Sequence, residues 1–187
     1  MTAVGEPIAE VEVLADSRLI VWSRDDGNRL YETGYFGKPL GIAKPKDSFD
    51  TPLILDPIEG LYLLEKGLIS VVFGEEKRKV DSGELRDIAR VVMEGLDEKY
   101  AVYRELRERG FVVAPGIKYG CDFAVYEHGP GIDHAPFIVQ VRRLEDGLSA
   151  AEIVEAGRLA TTVRKTFIIA VVSEGDVRFF SFKWWKP

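Results

Sequence analysis

Cysteine is nearly absent: Cys121 is the only one among 187 residues. A lone thiol excludes an internal disulfide framework and a cysteine-based zinc site. Histidine is almost as scarce, and both copies, His128 and His134, lie in YEHGPGIDHAPF. No stretch approaches about 18 consecutive apolar residues, so no transmembrane helix is expected. The opening MTAVGEPIAEVEVLADSRLI holds four acids and one base. It has no basic run ahead of an apolar one, so a secretory signal is not expected and a cytoplasmic location is. Repeats and low-complexity tracts are missing too. What is present is 46% hydrophobic and 30% charged residues, the composition of a folded globular chain rather than a disordered or fibrous one. The length suits one large domain or two small ones.

The net charge of −6 is unevenly spread. Residues 1–100 hold 13 Lys+Arg against 20 Asp+Glu, whereas residues 101–187 hold 12 against 11. An acidic chain is a poor generic binder of nucleic acid, yet the second part can still carry a local basic site.

The pattern along the chain predicts an α/β (α+β) protein with two domains, residues 1–85 and 86–187. VEVLA and RLIVWS read as strands, and DDGN as the turn of a hairpin, since Gly27 accepts positive φ at little cost. GKPLGIAKPKDSFDTP, near residues 37–52, is a long Gly/Pro/Lys loop, and loops of that length tend to be functional or disordered. Asp56 followed by Pro57 predicts a helix N-terminus, with Ile58, Leu61 and Leu64 as the buried stripe and Gly67 as the stop. LISVVF is a strand. A helical stretch then runs from Ser82 through ELRDIARVVMEG into DEKYAVYRELRERG, ending at Gly110. The second domain reads as FVVAPG, CDFAVYE and PFIVQVRRL strands, a helix opened by the S-x-x-E capping box Ser149–Glu152, and a closing FIIAVVS/VRFFSFKWW hairpin. FIIAVV is apolar on both faces, which predicts a central mixed sheet flanked by helices.

Three polar groups in this second part can carry chemistry. Alternation in CDFAVYE places Cys121, Phe123 and Val125 on one face and Asp122, Ala124 and Tyr126 on the other. Tyr126 then points away from the expected core face, beside the loop that holds the histidines. Arg158 and Lys165, seven residues apart, share one helix face, and Lys165 falls at the helix end, where a cation is favoured. Each has an ordinary reading: an amphipathic strand tyrosine, a solvated loop histidine, a cation at a helix end. Together a phenol, an imidazole and an ammonium suit attack of a ribose 2′-hydroxyl on its own phosphate. That reaction needs a base, an acid and a cation, and no metal if the ammonium supplies the charge. Asp122 and Glu127 leave a metal-dependent nuclease as the alternative.

GIKYGCDFAVYEHGPGIDHAPFIVQV, LATTVRKTFIIAVVSEGD and the terminal WKP closely resemble the catalytic subunit of archaeal-type tRNA-splicing endonucleases. PIEGLYLLEKGLISV is similar to the helix–strand unit of that family's N-terminal domain. The likeness covers most of residues 55–187 and is less distinctive over 1–54. It implies metal-independent cleavage of precursor tRNA at a bulge–helix–bulge, without a cofactor, leaving 2′,3′-cyclic phosphate and 5′-hydroxyl ends. By motif it assigns Tyr126 as general base, His134 as general acid and Lys165 as transition-state stabiliser, and His128 no role. A phenol is a poor base near neutral pH, so either Lys165 lowers its pKa or Tyr126 only orients the 2′-hydroxyl. The resemblance further implies that Arg158 and a second planar or cationic group, Trp184 by position, sandwich a bulge base, with Trp185 or Lys183 as alternatives. Glu174 and Asp176 would form a loop docking into a neighbouring subunit. Assembly is expected as an α2β2 heterotetramer with a structural subunit, or else as a homotetramer. A non-catalytic structural subunit of the same complex is the other alternative, against which Tyr126, His134 and Lys165 are all present. The loop at 37–52 is longer than the family link, and Lys44 and Lys46 there are expected to contact RNA phosphates.

Overall fold

The structure is a computed structural model and describes residues 6–42, 45 and 47–181. It divides into two compact units, Met1–Leu96 and Asp97–Pro187. The first unit so divided includes one helix that runs beyond residue 85. That helix turns Leu85 and Ala89 inward until they are buried, so it belongs to the first unit's core.

In the first unit β1 (Ala9–Val13), β2 (Leu19–Val21), β3 (Lys38–Pro39), β4 (Leu53–Leu55), β5 (Ile69–Phe73) and β6 (Arg78–Val80) form one sheet, ordered β3-β4-β2-β1-β5-β6. Only β1 and β5 pair in parallel. The DDGN segment is not a hairpin turn. It lies in helix α1 (Arg24–Gly34), where the Ser23 side chain accepts from the Asp26 backbone N–H and Asp25 and Asp26 occupy the first turn. An N-cap with acids beside the positive helix end outweighs the Asp-Gly turn signal. Gly27 is buried in that helix because a Cβ there would lie 3.3 Å from Leu53 Cβ. The proposed 37–52 loop contains β3, and its Lys44 and Lys46 lie outside the described residues.

Helix α2 (Pro57–Glu65) starts as expected: Asp56 caps it and Glu59 completes a capping box. Its buried residues include Leu63 rather than Leu64, because both sides of this short helix are covered. β6 is a strand where only polar residues were read, since just one of its three residues, Val80, is buried. The long helical stretch is two helices, α3 (Ser82–Val92) and α4 (Leu96–Glu108), broken where Met93 turns extended and Gly95 adopts φ 66°.

The second unit carries the site. Strands β7 (Val112–Pro115), β8 (Phe123–Tyr126), β9 (Phe137–Arg143), β10 (Thr166–Ser173) and β11 (Asp176–Ser181) follow the spatial order β11-β10-β9-β8-β7. β9 and β10 are parallel, joined through helix α5 (Ala150–Val163), and all other pairs are antiparallel. Ser149 and Glu152 make both bonds of the predicted capping box. Register shows that Ile138, Phe167 and Ile169 share a face, and Ala156, Leu159, Ala160 and Val163 of α5 pack on them. Phe123 points to the other face and meets Tyr103 of α4, ring centroids 6.0 Å apart. With a helix on each face, both sides of β8 are core, and Phe123, Ala124 and Val125 are all buried. Cys121 precedes the strand and packs with Ile138, Phe167 and Ile169, so it does not share the Phe123 face.

The turn entering β8 is tight. A Cβ on Gly116 would sit 2.6 Å from the Cys121 carbonyl oxygen and 2.8 Å from the Phe123 nitrogen. Both obstacles are backbone and cannot rotate aside. Gly116→Ala is expected to destabilise the protein by about 1–3 kcal/mol, read as a thermal midpoint several degrees lower; an unchanged midpoint would show that this turn is not close-packed.

Candidate active site

The topology of the second unit gathers one set of chain ends. β8 runs antiparallel to β9, with Val125 opposite Phe137, and β9 starts beside β10, with Phe137 opposite Thr166. The last residue of β8, Tyr126, the segment before β9 and the residue before β10, Lys165, therefore share one end of the sheet. His134 lies three residues ahead of Phe137 in that segment. Alternation from Ala124 puts Tyr126 on the face covered by α5.

Backbone bonds tighten this arrangement. Thr166 donates its N–H to the Pro136 carbonyl at 2.9 Å. Arg164 closes α5 in the left-handed conformation, φ 53°, and the Lys165 N–H then bonds the Ala160 carbonyl at 2.9 Å. The Lys165 ammonium donates to the carbonyl of Ala135, the residue after His134. An ammonium has three N–H donors, so this contact leaves donors to offer a ligand. Lys165 Nζ also stands 5.1 Å from the ring centroid of Tyr119, a favourable cation–π distance.

Tyr126 is half-buried and His134 is exposed. Burial pushes the Tyr126 phenol above its ordinary value, and the nearby Tyr119 phenol and Asp133 carboxylate push it the same way. All three influences oppose ionisation of the phenol. Asp133 accepts from the Gly129 N–H at 2.9 Å, the Glu127 N–H at 3.1 Å and the His128 N–H at 3.3 Å. Partial burial raises the Asp133 pKa, but the three donors outweigh it and hold the carboxyl below its usual range.

Two residues here were not singled out from the sequence. Tyr119 ends a short 3-10 turn, Ile117–Tyr119, and packs on the core cluster; its only signal was the pair of flanking glycines. Asp133 stood in a Gly/Pro-rich loop, the setting in which an Asp side chain folds back on backbone N–H groups.

The other expected site residues separate. Arg158 is exposed on α5, two turns before Lys165, and its carbonyl accepts from Thr162 Oγ1. Trp184, Trp185 and Lys183 lie outside the described residues. Glu174 and Asp176 are exposed at the β10–β11 turn, where Glu174 and Gly175 have φ 48° and 90°. The eight residues of β10 put that turn at the far end of the sheet, roughly 26 Å from Lys165. Asp122 and Glu127 do not form a shared ligand set. They flank opposite ends of β8, and Asp122 already holds Gln140 Nε2 and the Val141 N–H, each at 2.7 Å, and Lys99 at 3.1 Å. Among the described residues no cluster of three or more His, Cys, Asp or Glu side chains could hold a metal ion, and no helix is long and apolar enough to cross a membrane.

Residues 96–179 match the model of the tRNA intron endonuclease catalytic C-terminal domain, and residues 11–86 match that of the same family's N-terminal domain. The chain is 48% identical over 178 residues to the tRNA-splicing endonuclease of Hyperthermus butylicus, covering 94% of this chain and 98% of that one. This chain belongs to the tRNA intron endonuclease family. The enzymes called tRNA-splicing endonuclease in Sulfurisphaera tokodaii and Saccharolobus solfataricus are each 39% identical, over 92% and 93% of this chain and 97% of their own. The chain is accordingly an endonuclease of that family, and the sheet end described above lies within the match to its catalytic domain.

The raised phenol is directly measurable. In carbon-13 spectra of Cζ-labelled tyrosine, Tyr126 is expected to titrate with a midpoint above the ordinary value of about 10. A midpoint below that would show that a cation dominates its surroundings.

Proposed function

We propose that this endonuclease removes introns from precursor tRNA by metal-independent cleavage at bulge–helix–bulge junctions. The scissile phosphodiester would lie across the sheet end shared by Tyr126, His134 and Lys165. The ribose 2′-hydroxyl attacks the adjacent phosphorus, Tyr126 holds it and accepts its proton, and the bond from phosphorus to the 5′ oxygen breaks. His134 delivers a proton to that leaving oxygen. The products are a 2′,3′-cyclic phosphate and a 5′-hydroxyl. Lys165 faces the non-bridging oxygens, whose charge grows in the phosphorane-like transition state, and such aimed cations often supply the largest catalytic term.

The carrying observation is the Lys165 ammonium bonded to the carbonyl next to His134, which puts a cation beside the proposed acid. The high phenol pKa limits Tyr126 as a base. The neutral form therefore predominates near neutral pH and orients the hydroxyl, and proton transfer runs through the ionised minority. The spread of charge fits an enzyme that recognises RNA shape, with stacking between Arg158 and Trp184 on an extruded base contributing about 1–3 kcal/mol. Lys44 and Lys46 would add phosphate contacts, and with them salt dependence.

Assembly belongs to the same reading. The β10–β11 turn projects Glu174 and Asp176 far from this chain's own site, as docking into a basic pocket of a neighbour requires. β11 is an edge strand with Phe180 47% exposed, and apolar edges tend to be covered. An α2β2 complex with a structural subunit is the proposed form, with a homotetramer as the alternative.

The test is cleavage of a bulge–helix–bulge RNA by the assembled enzyme in excess chelator, with end-group analysis. Full activity with cyclic-phosphate ends is expected, and a single 2′-deoxy substitution at the scissile ribose should abolish cutting there. Activity lost to chelator and restored by Mg²⁺ would overturn the reading.

A further inference from the structure

Between Tyr126 and Phe137 the chain must place an exposed imidazole with no strand or helix to hold it. His134 is solvent-facing, and the segment contains two glycines with positive φ, Gly129 at 131° and Gly131 at 96°. Such a loop has many accessible conformations, yet an acid must meet the leaving oxygen within a fraction of an ångström to be effective. Its two neighbours solve this differently. On one side Ala135 is buried, 2% exposed, and its carbonyl holds the Lys165 ammonium. On the other side Asp133 grips three consecutive backbone N–H groups, those of Glu127, His128 and Gly129. Those are the first three residues after Tyr126. A bridge between Pro130 and Asp133 and bonds from the Ile132 and Asp133 N–H groups to the Gly129 carbonyl, at 3.1 and 3.2 Å, complete the closed loop.

We propose that Asp133 is the positioning residue for His134: its carboxylate ties the base of the histidine loop to the end of the strand that bears Tyr126. The inference rests on the role given to His134 above. Asp133 itself touches no reacting atom. Its carboxylate fixes the backbone from which the imidazole projects, and three N–H donors on one carboxylate make a rigid clamp because charge-assisted bonds are the stronger kind. The same geometry explains why the tie is made by an aspartate. Oδ2 takes two donors and Oδ1 the third, so an asparagine, with a single acceptor oxygen, can satisfy only part of the set.

The experiment uses two substrates with the assembled enzyme under single-turnover conditions. One is the natural bulge–helix–bulge RNA; the other has sulfur in place of the 5′-bridging oxygen at the scissile bond. A thiolate leaves without a proton because a thiol is far more acidic than an alcohol, with a pKa of about 8.5, so a missing or misplaced acid no longer slows cleavage. Asp133→Ala is expected to cut the oxygen substrate about 10²-fold more slowly than the unaltered enzyme. RNA affinity should stay within about threefold, and the sulfur substrate should be cut at close to the normal rate. Asp133→Asn should show a smaller loss on oxygen with the same recovery on sulfur, and it serves as the test should the alanine variant fold poorly. His134→Ala is the reference. Recovery of His134→Ala on sulfur without recovery of the Asp133 variants would overturn the positioning role while leaving the acid in place. Failure of His134→Ala to recover would overturn the acid assignment and the inference with it. An undiminished rate for Asp133→Ala on oxygen would also reject the role.

Discussion

The ammonium of Lys165 on the carbonyl of Ala135 joins two segments that are thirty residues apart in sequence, and the catalytic reading depends on it. A hydrogen bond from a charged donor is worth about 1.5–3 kcal/mol net, modest for a fold but large for the placement of one loop. It is possible because β9 and β10 are parallel and begin level with each other. An antiparallel pair would carry the end of α5 to the opposite edge of the sheet. The crossover helix thus delivers a cation to the same edge that receives the end of β8, so the residues bearing a phenol, an imidazole and an ammonium share one end of the sheet.

The electrostatics of this end are mixed by construction. Burial, Tyr119 and Asp133 all hold the Tyr126 phenol protonated, while Lys165 rests against the Tyr119 ring. The ammonium of Lys165 is thus engaged with the Ala135 carbonyl and the Tyr119 ring, and Lys165 is not among the influences on the Tyr126 phenol. An enzyme of net charge −6 gains little from generic attraction to RNA.

Much of the architecture was legible in the residues. Asp56-Pro57 and Ser149–Glu152 announce helix starts that the structure realises with both capping bonds, and Glu174-Gly175 closes the final hairpin as read. Errors arose where two local signals competed. Asp25-Asp26-Gly27-Asn28 fits a turn and a capped first helical turn equally well, and only the burial of Gly27 and Leu30 against the sheet decides. Met93 to Gly95 interrupts a pattern whose helical period continues on both sides. β6 was hidden because an edge strand with one buried residue has no alternation to detect. The family likeness drew attention to Tyr126, His134 and Lys165, whereas their residue types alone fitted ordinary roles. Their placement at one sheet end is a consequence of strand order, which no local pattern encodes. Asp133 was missed for a related reason: a carboxylate that bonds three backbone N–H groups looks, in sequence, like any loop aspartate.

The claim that those three side chains act on one phosphate is tested most directly by a structure of the assembled enzyme bound to a bulge–helix–bulge RNA carrying a 2′-deoxy ribose at the scissile position. The account predicts Lys165 Nζ and the His134 ring within hydrogen-bond reach, about 3.5 Å or less, of oxygens on that phosphate, with the Tyr126 hydroxyl turned toward the ribose 2′ carbon. A scissile phosphate seated elsewhere, with Lys165 still on Ala135 and no contact to RNA, would contradict it.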